Sequence, residues 1–239
     1  MFLIQTVDNE VCYDFSFQLI EAIKYNNWFR HDKIFEYVLV NDIPNYFIED
    51  CIPIGTVEFV HKYLKKYYNI IPKPLNVPEE LFKYANREIE NTTNEELWGK
   101  GELFVKSNDT VKEGITGIYN TNLYTLPKGN YQASEIIEVK SEWRAFVYYN
   151  KLVGLQHYSG DFTKFPDINK INNMIKDYKN SPNAYTLDVG LIDGITDSLD
   201  TIVIECHNFY SCGLYGFSDN TLLPYMFSKG FYQIVKNKS

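Results

Sequence analysis

Short apolar runs recur through the second part of the chain, and they constrain its fold more than any other feature of the sequence. The runs have strand length, are rich in β-branched and aromatic residues, and are separated by polar or glycine-containing segments. The predicted strands are Glu102–Ser107, Ser134–Lys140, Trp143–Tyr149, Leu152–Tyr158, Tyr185–Val189 and Thr201–Cys206. Asn150-Lys151 separates two of these runs and predicts a tight hairpin connection. We therefore expect at least one antiparallel sheet in this part of the chain.

The first 70 residues follow a different pattern, in which short strands alternate with amphipathic helices. Phe2-Leu3-Ile4 and Glu36–Asn41 are typical of strands. Apolar residues recur at helical spacing in two places, at Phe15, Leu19, Ile20 and Ile23, and again at Phe59, Val60, Tyr63, Leu64 and Tyr67. Thr56 lies where the second helix should begin and is a suitable N-cap. This part of the chain predicts a small α/β unit.

The two patterns meet at a proline-rich stretch, which we take as the domain boundary. Pro72, Pro74 and Pro78 interrupt regular structure there. We predict an N-terminal α/β domain over residues 1–75 and a strand-rich domain over 76–239. The second domain should also contain a helix over Ile168–Asn180, capped by Asp167, and a C-terminal helix over Leu223–Val235. The expected fold class is α/β with antiparallel sheets, an α+β arrangement.

Composition excludes several classes of protein. A hydrophobic fraction of 45% and an aromatic fraction of 16% exclude a disordered chain. The net charge of −8 argues against broad binding to the backbone of a nucleic acid. The cysteines form no Cys-x-x-Cys pair that would indicate zinc or a disulfide framework. The N-terminal residues MFLIQTVDNEV fit neither a signal peptide nor a membrane span, so we expect a soluble, cytoplasmic protein.

Lys106 and Lys112 form the first candidate site. Lys106 follows an apolar strand, and Lys112 begins a segment whose Gly114 and Gly117 would allow the backbone to approach phosphates closely. Two lysines beside a flexible glycine loop suit a triphosphate. The alternative is that both are ordinary solvated surface lysines.

Glu142 and Arg144 form the second candidate site. They alternate with Trp143 and Ala145, so both charges should project from the same face of a strand. The two could form a simple ion pair. Alternatively, the guanidinium of Arg144 could bind a phosphate or a carboxylate through two parallel hydrogen bonds.

Asp188, Glu205 and His207 form the third candidate site, at the ends of two strongly apolar strands. If these strands pair, Asp188 and Glu205 lie side by side, an arrangement of like charges that a bridging cation would stabilise. Mg²⁺ is the natural candidate because it prefers carboxylate oxygens and substrate phosphates. The alternative is that each carboxylate caps a local turn.

Together these clusters resemble the ATP-grasp superfamily, in particular a phage-type clade named for one arginine and two lysines. The resemblance covers roughly residues 98–217 and implies ATP and Mg²⁺ as cofactors. It implies phosphate-binding roles for Lys106 and Lys112 and identifies Arg144 with the clade arginine. Catalysis would then depend on Arg144 and Lys112. The metal ligands would be Asp188, Glu205 and, where the family has asparagine, either His207 or a shifted Asn208.

The resemblance also implies an adenine site and a reaction. The adenine would lie against the segment that links the two grasp subdomains, formed here by Glu135, Ile136, Ile137 and Glu138. The implied activity is that of a carboxylate–amine ligase, in which ATP phosphorylates a carboxylate and an amine attacks the acyl phosphate. The substrates would be small molecules or peptides, and residues 1–75 would be the α/β domain that often precedes the grasp. If a phage encodes the chain, the location would be the host cytoplasm.

Two other functions fit the same residues. One is a phosphotransferase that uses the same nucleotide site and releases a stable phosphorylated product. The other is a non-catalytic phage protein that uses its acidic and aromatic residues for binding. The identities of the carboxylate and amine, the oligomeric state and the role of the first 75 residues do not follow from the sequence.

Overall fold

The computed structural model describes residues 1–46, 50–111, 115–194, 198–217, 219 and 221–236. In chain order its strands and helices are β1 (Phe2–Gln5), α1 (Asp14–Arg30), β2 (Tyr37–Val40), β3 (Ile52–Ile54), α2 (Val57–Tyr68), a 3-10 helix (Glu79–Tyr84), β4 (Ile89–Thr93), α3 (Asn94–Leu97), β5 (Glu102–Ser107), β6 (Thr116–Asn120), β7 (Asn130–Ser134), β8 (Ser141–Tyr148), β9 (Lys151–Gly160), α4 (Ile168–Asp177), β10 (Ala184–Asp193), β11 (Leu199–Asn208) and α5 (Leu223–Lys236). They fall into two compact units, one of Met1–Pro72, Pro182–Tyr185 and Asn208–Ser239, the other of Lys73–Ser181 and Thr186–His207.

The first unit contains a parallel three-stranded sheet in the order β2-β1-β3. The predicted strand Phe2-Leu3-Ile4 is its central strand and is fully buried. The two predicted helices are α1 and α2, and the hydroxyl of Thr56 accepts a hydrogen bond from the backbone N–H of Phe59 at 3.2 Å, as expected of an N-cap. The C-terminal helix α5 belongs to this unit. The predicted boundary between residues 75 and 76 stays a prediction.

The second unit contains two four-stranded sheets, in the orders β4-β7-β5-β6 and β11-β10-β8-β9. The first of these sheets covers a small apolar core built around Val105 and Tyr131. The second sheet has a larger buried set that includes Phe146, Leu187 and Val203. The pairs whose direction is defined, β4–β7, β5–β6, β5–β7 and β8–β9, are antiparallel, as the sequence predicts.

Local signals place a hairpin and a helix of this unit accurately. The β8–β9 hairpin turns at Tyr149 and Asn150, one residue earlier than predicted, and both residues have positive φ, 46° and 58°. Helix α4 begins at the predicted residue and ends three residues before the predicted Asn180. A carboxylate oxygen of Asp167 accepts the backbone N–H of Asn169 at 2.8 Å, which confirms the predicted cap.

The predicted strand over Ser134–Lys140 is wrong. Only Ser134 belongs to a strand, the last residue of β7, and the next strand begins at Ser141. Residues 135–140 instead connect two sheets, because β7 lies in one sheet and β8 in the other. Ile136 and Ile137 give this connection the apolar character of a strand, yet 46% of Ile136 is exposed. An apolar run alone therefore did not distinguish a sheet strand from an extended connection.

No helix within the described ranges is both long enough and apolar enough to cross a membrane.

Candidate active site

Lys106 and Glu205 form an ion pair between the two sheets of the second unit. Lys106 lies near the end of β5, and Glu205 lies in β11. The ammonium group of Lys106 contacts a carboxylate oxygen of Glu205, and both side chains are largely shielded from solvent. Burial raises the pKa of Glu205, but the charges of His207 and Lys106 outweigh it and hold that pKa well below its usual range.

Arg144 and Asp188 form a second ion pair, between β8 and β10. The Nε and Nη2 atoms of Arg144 lie 2.8 and 2.7 Å from the two carboxylate oxygens of Asp188. Asp188 is 1% exposed and Arg144 is 7% exposed, so water hardly screens the pair. Burial raises the pKa of Asp188, and the hydrogen bonds and charges of Arg144 and His207 more than offset this effect. The fork of Arg144 thus binds a carboxylate of the protein itself.

His207 lies between the two carboxylates. Its Nε2 atom is 3.2 Å from Glu205 Oε1 and 3.5 Å from Asp188 Oδ2. Glu205 and His207 are two residues apart in β11 and therefore point to the same face, whereas the side chain of Asn208 points to the opposite face. Burial lowers the pKa of His207, but the two carboxylates prevail and raise it to about 9. His207 thus lies with the two carboxylates, and the choice between His207 and Asn208 as a metal ligand stays a prediction.

The two carboxylates and the imidazole have donor atoms that could hold a metal ion. One ligand atom each from Asp188, Glu205 and His207 can be chosen so that all lie within 4.8 Å of one another. Carboxylate oxygens suit Mg²⁺, and imidazole nitrogen is a donor more typical of transition metals. The donor set fits a divalent cation held mainly by the two carboxylates, with His207 as the less usual third ligand.

A cavity of about 220 Å³ adjoins this cluster. Lys106, Glu205 and Glu142 line its polar side. Its apolar lining consists of Val77, Ile89, Phe104 and Ile204. A mostly apolar cavity with a few convergent charges is typical of a small-molecule site.

Glu142 and Arg144 do come together, through Tyr158. The hydroxyl of Tyr158 donates a hydrogen bond to Glu142 Oε2 at 2.7 Å. The guanidinium carbon of Arg144 lies 5.7 Å from the centre of the same ring. Burial, together with the charges of Asp188 and Glu142, raises the pKa of Tyr158, which therefore remains a hydrogen-bond donor.

Arg87 also lines the cavity, and sequence reasoning missed it. Its Nη1 atom donates to the carbonyl oxygens of Val203 at 2.9 Å and Ala85 at 3.1 Å, and Nη2 donates to that of Ile204 at 3.3 Å. Arg87 thus holds the stretch of β11 that carries Glu205. Its sequence context, Asn86-Arg87-Glu88, is that of any polar turn. Because β4 was not predicted from the sequence, no pattern distinguished Arg87 from other polar residues.

The other predicted site residues are Lys112 and the segment from Glu135 to Glu138. Lys112 lies outside the described residues, so its predicted role stays a prediction. Glu135 to Glu138 lie in the connection between β7 and β8. This is the kind of position predicted for the adenine segment, which should link two sheets. The Glu135 carboxylate accepts the backbone N–H of Glu88 at 2.9 Å, and the Glu138 carboxylate binds Lys140 at 2.7 Å. Their side chains are thus engaged locally, and a contact with adenine through Ile136 and Ile137 stays a prediction.

Comparison with known families identifies the fold. The model of an ATP-grasp domain, the second family of the clade named for one arginine and two lysines, matches residues 84–224, which is more than half of the chain. The chain belongs to this ATP-grasp family. The match contains all of the charged residues that form the cluster, from Arg87 to His207. The expected superfamily is therefore confirmed, whereas the phage origin stays a prediction. No curated protein sequence matches the chain.

Solved structures support the same ATP-grasp fold. The chain is similar to D-alanine–D-alanine ligase from Bacillus anthracis, with 12% identity, a TM-score of 0.51 and coverage of 100% of this chain and 99% of that one. It is also similar to N5-carboxyaminoimidazole synthetase from Staphylococcus aureus, with 10% identity, a TM-score of 0.51 and coverage of 98% and 76%. At such low identity these similarities establish the fold, and the activity must be argued from the site.

Proposed function

We propose that this protein is an ATP-dependent carboxylate–amine ligase that uses Mg²⁺ and forms an acyl-phosphate intermediate. The observation that carries the proposal is the charged cluster beside the cavity in an ATP-grasp domain. Lys106, Arg144, Asp188, Glu205 and His207 converge there from both sheets of the second unit. The two similar ligases named above, one of which joins D-alanine to D-alanine, are consistent with this class of reaction.

The residues divide the work according to their charge and position. Lys106 could exchange Glu205 for a phosphate oxygen of ATP, because a carboxylate and a phosphate are both anionic oxygen acceptors and Lys106 lines the cavity. Asp188, Glu205 and His207 would hold Mg²⁺, which would supply positive charge to the phosphates of ATP. Fixed positive charges lower the barrier of phosphoryl transfer because they stabilise the charge spread over the transferring oxygens.

Arg144 has a positioning role in this proposal. The Nε and Nη2 atoms on one edge of its guanidinium bind both carboxylate oxygens of Asp188, so Arg144 fixes the orientation of that carboxylate in a nearly dry environment. Tyr158 and Glu142 continue the network toward the cavity. The predicted direct contact of Arg144 with substrate would require that it share its guanidinium between Asp188 and the substrate. We keep that contact, and the catalytic role of Lys112, as parts of the proposal.

Calorimetric titration with ATP and Mg²⁺ tests the nucleotide site without knowledge of the substrates. We expect the wild type to bind Mg-ATP and Lys106→Ala to bind it at least tenfold more weakly, since one charged contact to a phosphate is lost. Glu205→Gln should reduce the Mg²⁺ dependence of binding. Lys83→Ala removes an exposed cation of the same unit and is the matched control. If the wild type shows no binding, the proposed enzyme is contradicted and a non-catalytic role gains support.

Hydroxylamine distinguishes the ligase from the phosphotransferase. An acyl phosphate reacts with hydroxylamine to give a hydroxamate, with release of inorganic phosphate, whereas a phosphorylated hydroxyl or amine does not. A screen of amino acids and peptides with ATP and hydroxylamine should therefore yield a hydroxamate with the correct carboxylate. Transfer of the γ-phosphoryl group without hydroxamate formation would favour the phosphotransferase.

A further inference from the structure

Helix α1 carries aromatic side chains on its outer face. Phe17 is 60% exposed, Tyr25 41%, Trp28 68% and Phe29 61%. The opposite face of the same helix is buried, including Phe15, Leu19, Ile20 and Ile23. Large exposed aromatic side chains depart from the polar outer face that is usual for a surface helix. Exposed aromatic clusters of this kind mark protein–protein interfaces.

Two of these aromatic residues, Phe17 and Trp28, belong to a stripe along one side of the helix. Phe17, Glu21, Lys24 and Trp28 follow one another at spacings of four, three and four residues, which places them along one side of the helix. Glu21 and Lys24 form an exposed ion pair of 2.8 Å at the centre of the stripe. Tyr25 extends the stripe by packing against Trp28, with ring centroids 5.9 Å apart. The order is aromatic, acidic, basic, aromatic.

This order is self-complementary. In an antiparallel arrangement with a twofold axis between Glu21 and Lys24, Phe17 lies opposite Trp28 of a second copy, and Glu21 lies opposite Lys24 of that copy. Aromatic rings then meet rings, and every charge meets its opposite. We propose that α1 is the dimerisation helix of this protein and that its occupant is α1 of a second copy.

The exposed area supports a dimer as the occupant. Aromatic side chains bury roughly 150–250 Å² each, so the exposed fractions of Phe17, Tyr25 and Trp28 provide roughly 340 Å² per copy. Two copies give roughly 680 Å² from these rings alone, and the charged pair and the neighbouring side chains add to it toward the roughly 1,200 Å² at which stable interfaces begin. A groove of about 250 Å³ borders the stripe at Lys24 and is lined by Ile23, Asn27 and Tyr37. This groove can receive an aromatic ring of the second copy and add to the buried area.

Charge reversal tests the register of this dimer directly. We expect analytical ultracentrifugation of the full chain to show a concentration-dependent dimer with the wild type. Glu21→Lys or Lys24→Glu alone should raise the dissociation constant roughly tenfold, because each places like charges opposite each other twice. The double variant Glu21→Lys/Lys24→Glu should restore the wild-type constant. Trp28→Ser should raise it roughly thirtyfold, as expected for a central aromatic residue.

The controls separate this interface from other surfaces of the protein. Lys62→Glu breaks an exposed ion pair with Asp42 elsewhere in the same unit and should leave the dimer unchanged. Circular dichroism checks that each variant keeps its helices. A wild type that stays monomeric over a 100-fold range of protein concentration would overturn the proposal. So would a dimer that resists both charge reversals but dissociates on Val38→Lys, since that outcome would place the contact at the β2 edge.

Discussion

Asp188 illustrates how the site is specified at the scale of single residues. Its carboxylate is buried and depends on Arg144 for two hydrogen bonds and on His207 for a further charge. A buried ion pair of this kind contributes little net stability compared with an apolar pair, yet removal of one partner is costly because the other charge remains buried. The pair therefore fixes the geometry of the cluster more than it stabilises the fold.

Arg144→Leu measures the cost of leaving this carboxylate buried. We expect the free energy of unfolding to fall by about 3 kcal/mol, because Asp188 loses its main partner while His207 remains. The double variant Arg144→Leu/Asp188→Leu should recover part of the loss, since no buried charge is left. Urea unfolding followed by far-UV circular dichroism measures both. A single variant within about 0.5 kcal/mol of the wild type would show that water reaches Asp188.

At the scale of elements, α5 depends on a residue that is intrinsically unfavourable in a helix. Gly230 lies inside α5, where alanine would be favoured by about 1 kcal/mol on helix propensity alone. However, a Cβ atom at this position would lie 2.3 Å from the carbonyl oxygen of Phe209, a backbone atom that cannot rotate away. The close approach of the helix to residue 209 outweighs the propensity.

Gly230→Ala should therefore destabilise the protein despite its better helix propensity. We expect a net loss of about 1–3 kcal/mol, the usual range for overpacking. The matched control is Lys229→Ala, which changes an exposed position of the same helix and should alter stability by less than about 0.5 kcal/mol. Thermal unfolding of both variants compares them. A stabilised Gly230→Ala variant would mean that α5 can move away from Phe209 at little cost.

At the scale of the whole molecule, the charged cluster links stability to pH. The lowered pKa values of Asp188 and Glu205 stabilise the folded state above about pH 4.5, and this contribution is lost as the pH falls. The raised pKa of His207 acts in the opposite direction. Its contribution is complete below about pH 6.5 and is lost as the pH rises toward 9. The cluster therefore stabilises the metal-free protein most between about pH 4.5 and pH 6.5.

We expect the free energy of unfolding in EDTA to fall by about 1–2 kcal/mol between pH 6.5 and 9, after allowance for solvent screening of the partly exposed imidazole. Urea titrations at half-unit pH intervals measure this decline. His207→Asn keeps a polar side chain but has no titrating group. In this variant most of the decline in stability with pH should be absent. An equal decline in the variant would assign the effect to other groups.

The sequence by itself predicted many of the elements and the residue types that gather in the candidate site of this protein. Hairpin residues, helix caps and the alternation of apolar positions are local signals, so β5, β8 to β11 and the start of α4 followed from them. The order of charged residues was sufficient to suggest the ATP-grasp family. Local signals failed at residues 135–140, because an apolar connection between two sheets and a strand within one sheet have the same composition.

Only the tertiary structure decided which groups meet. Arg144 and Asp188 are 44 residues apart in the chain, and Lys106 and Glu205 are 99 apart, so no periodicity relates them. The structure also placed His207 beside both carboxylates, and it added Arg87 through its bonds to the carbonyl oxygens of β11. Residue types and local periods are written in the sequence, whereas the pairing of charges depends on strand order and register, which form only when distant segments pack together.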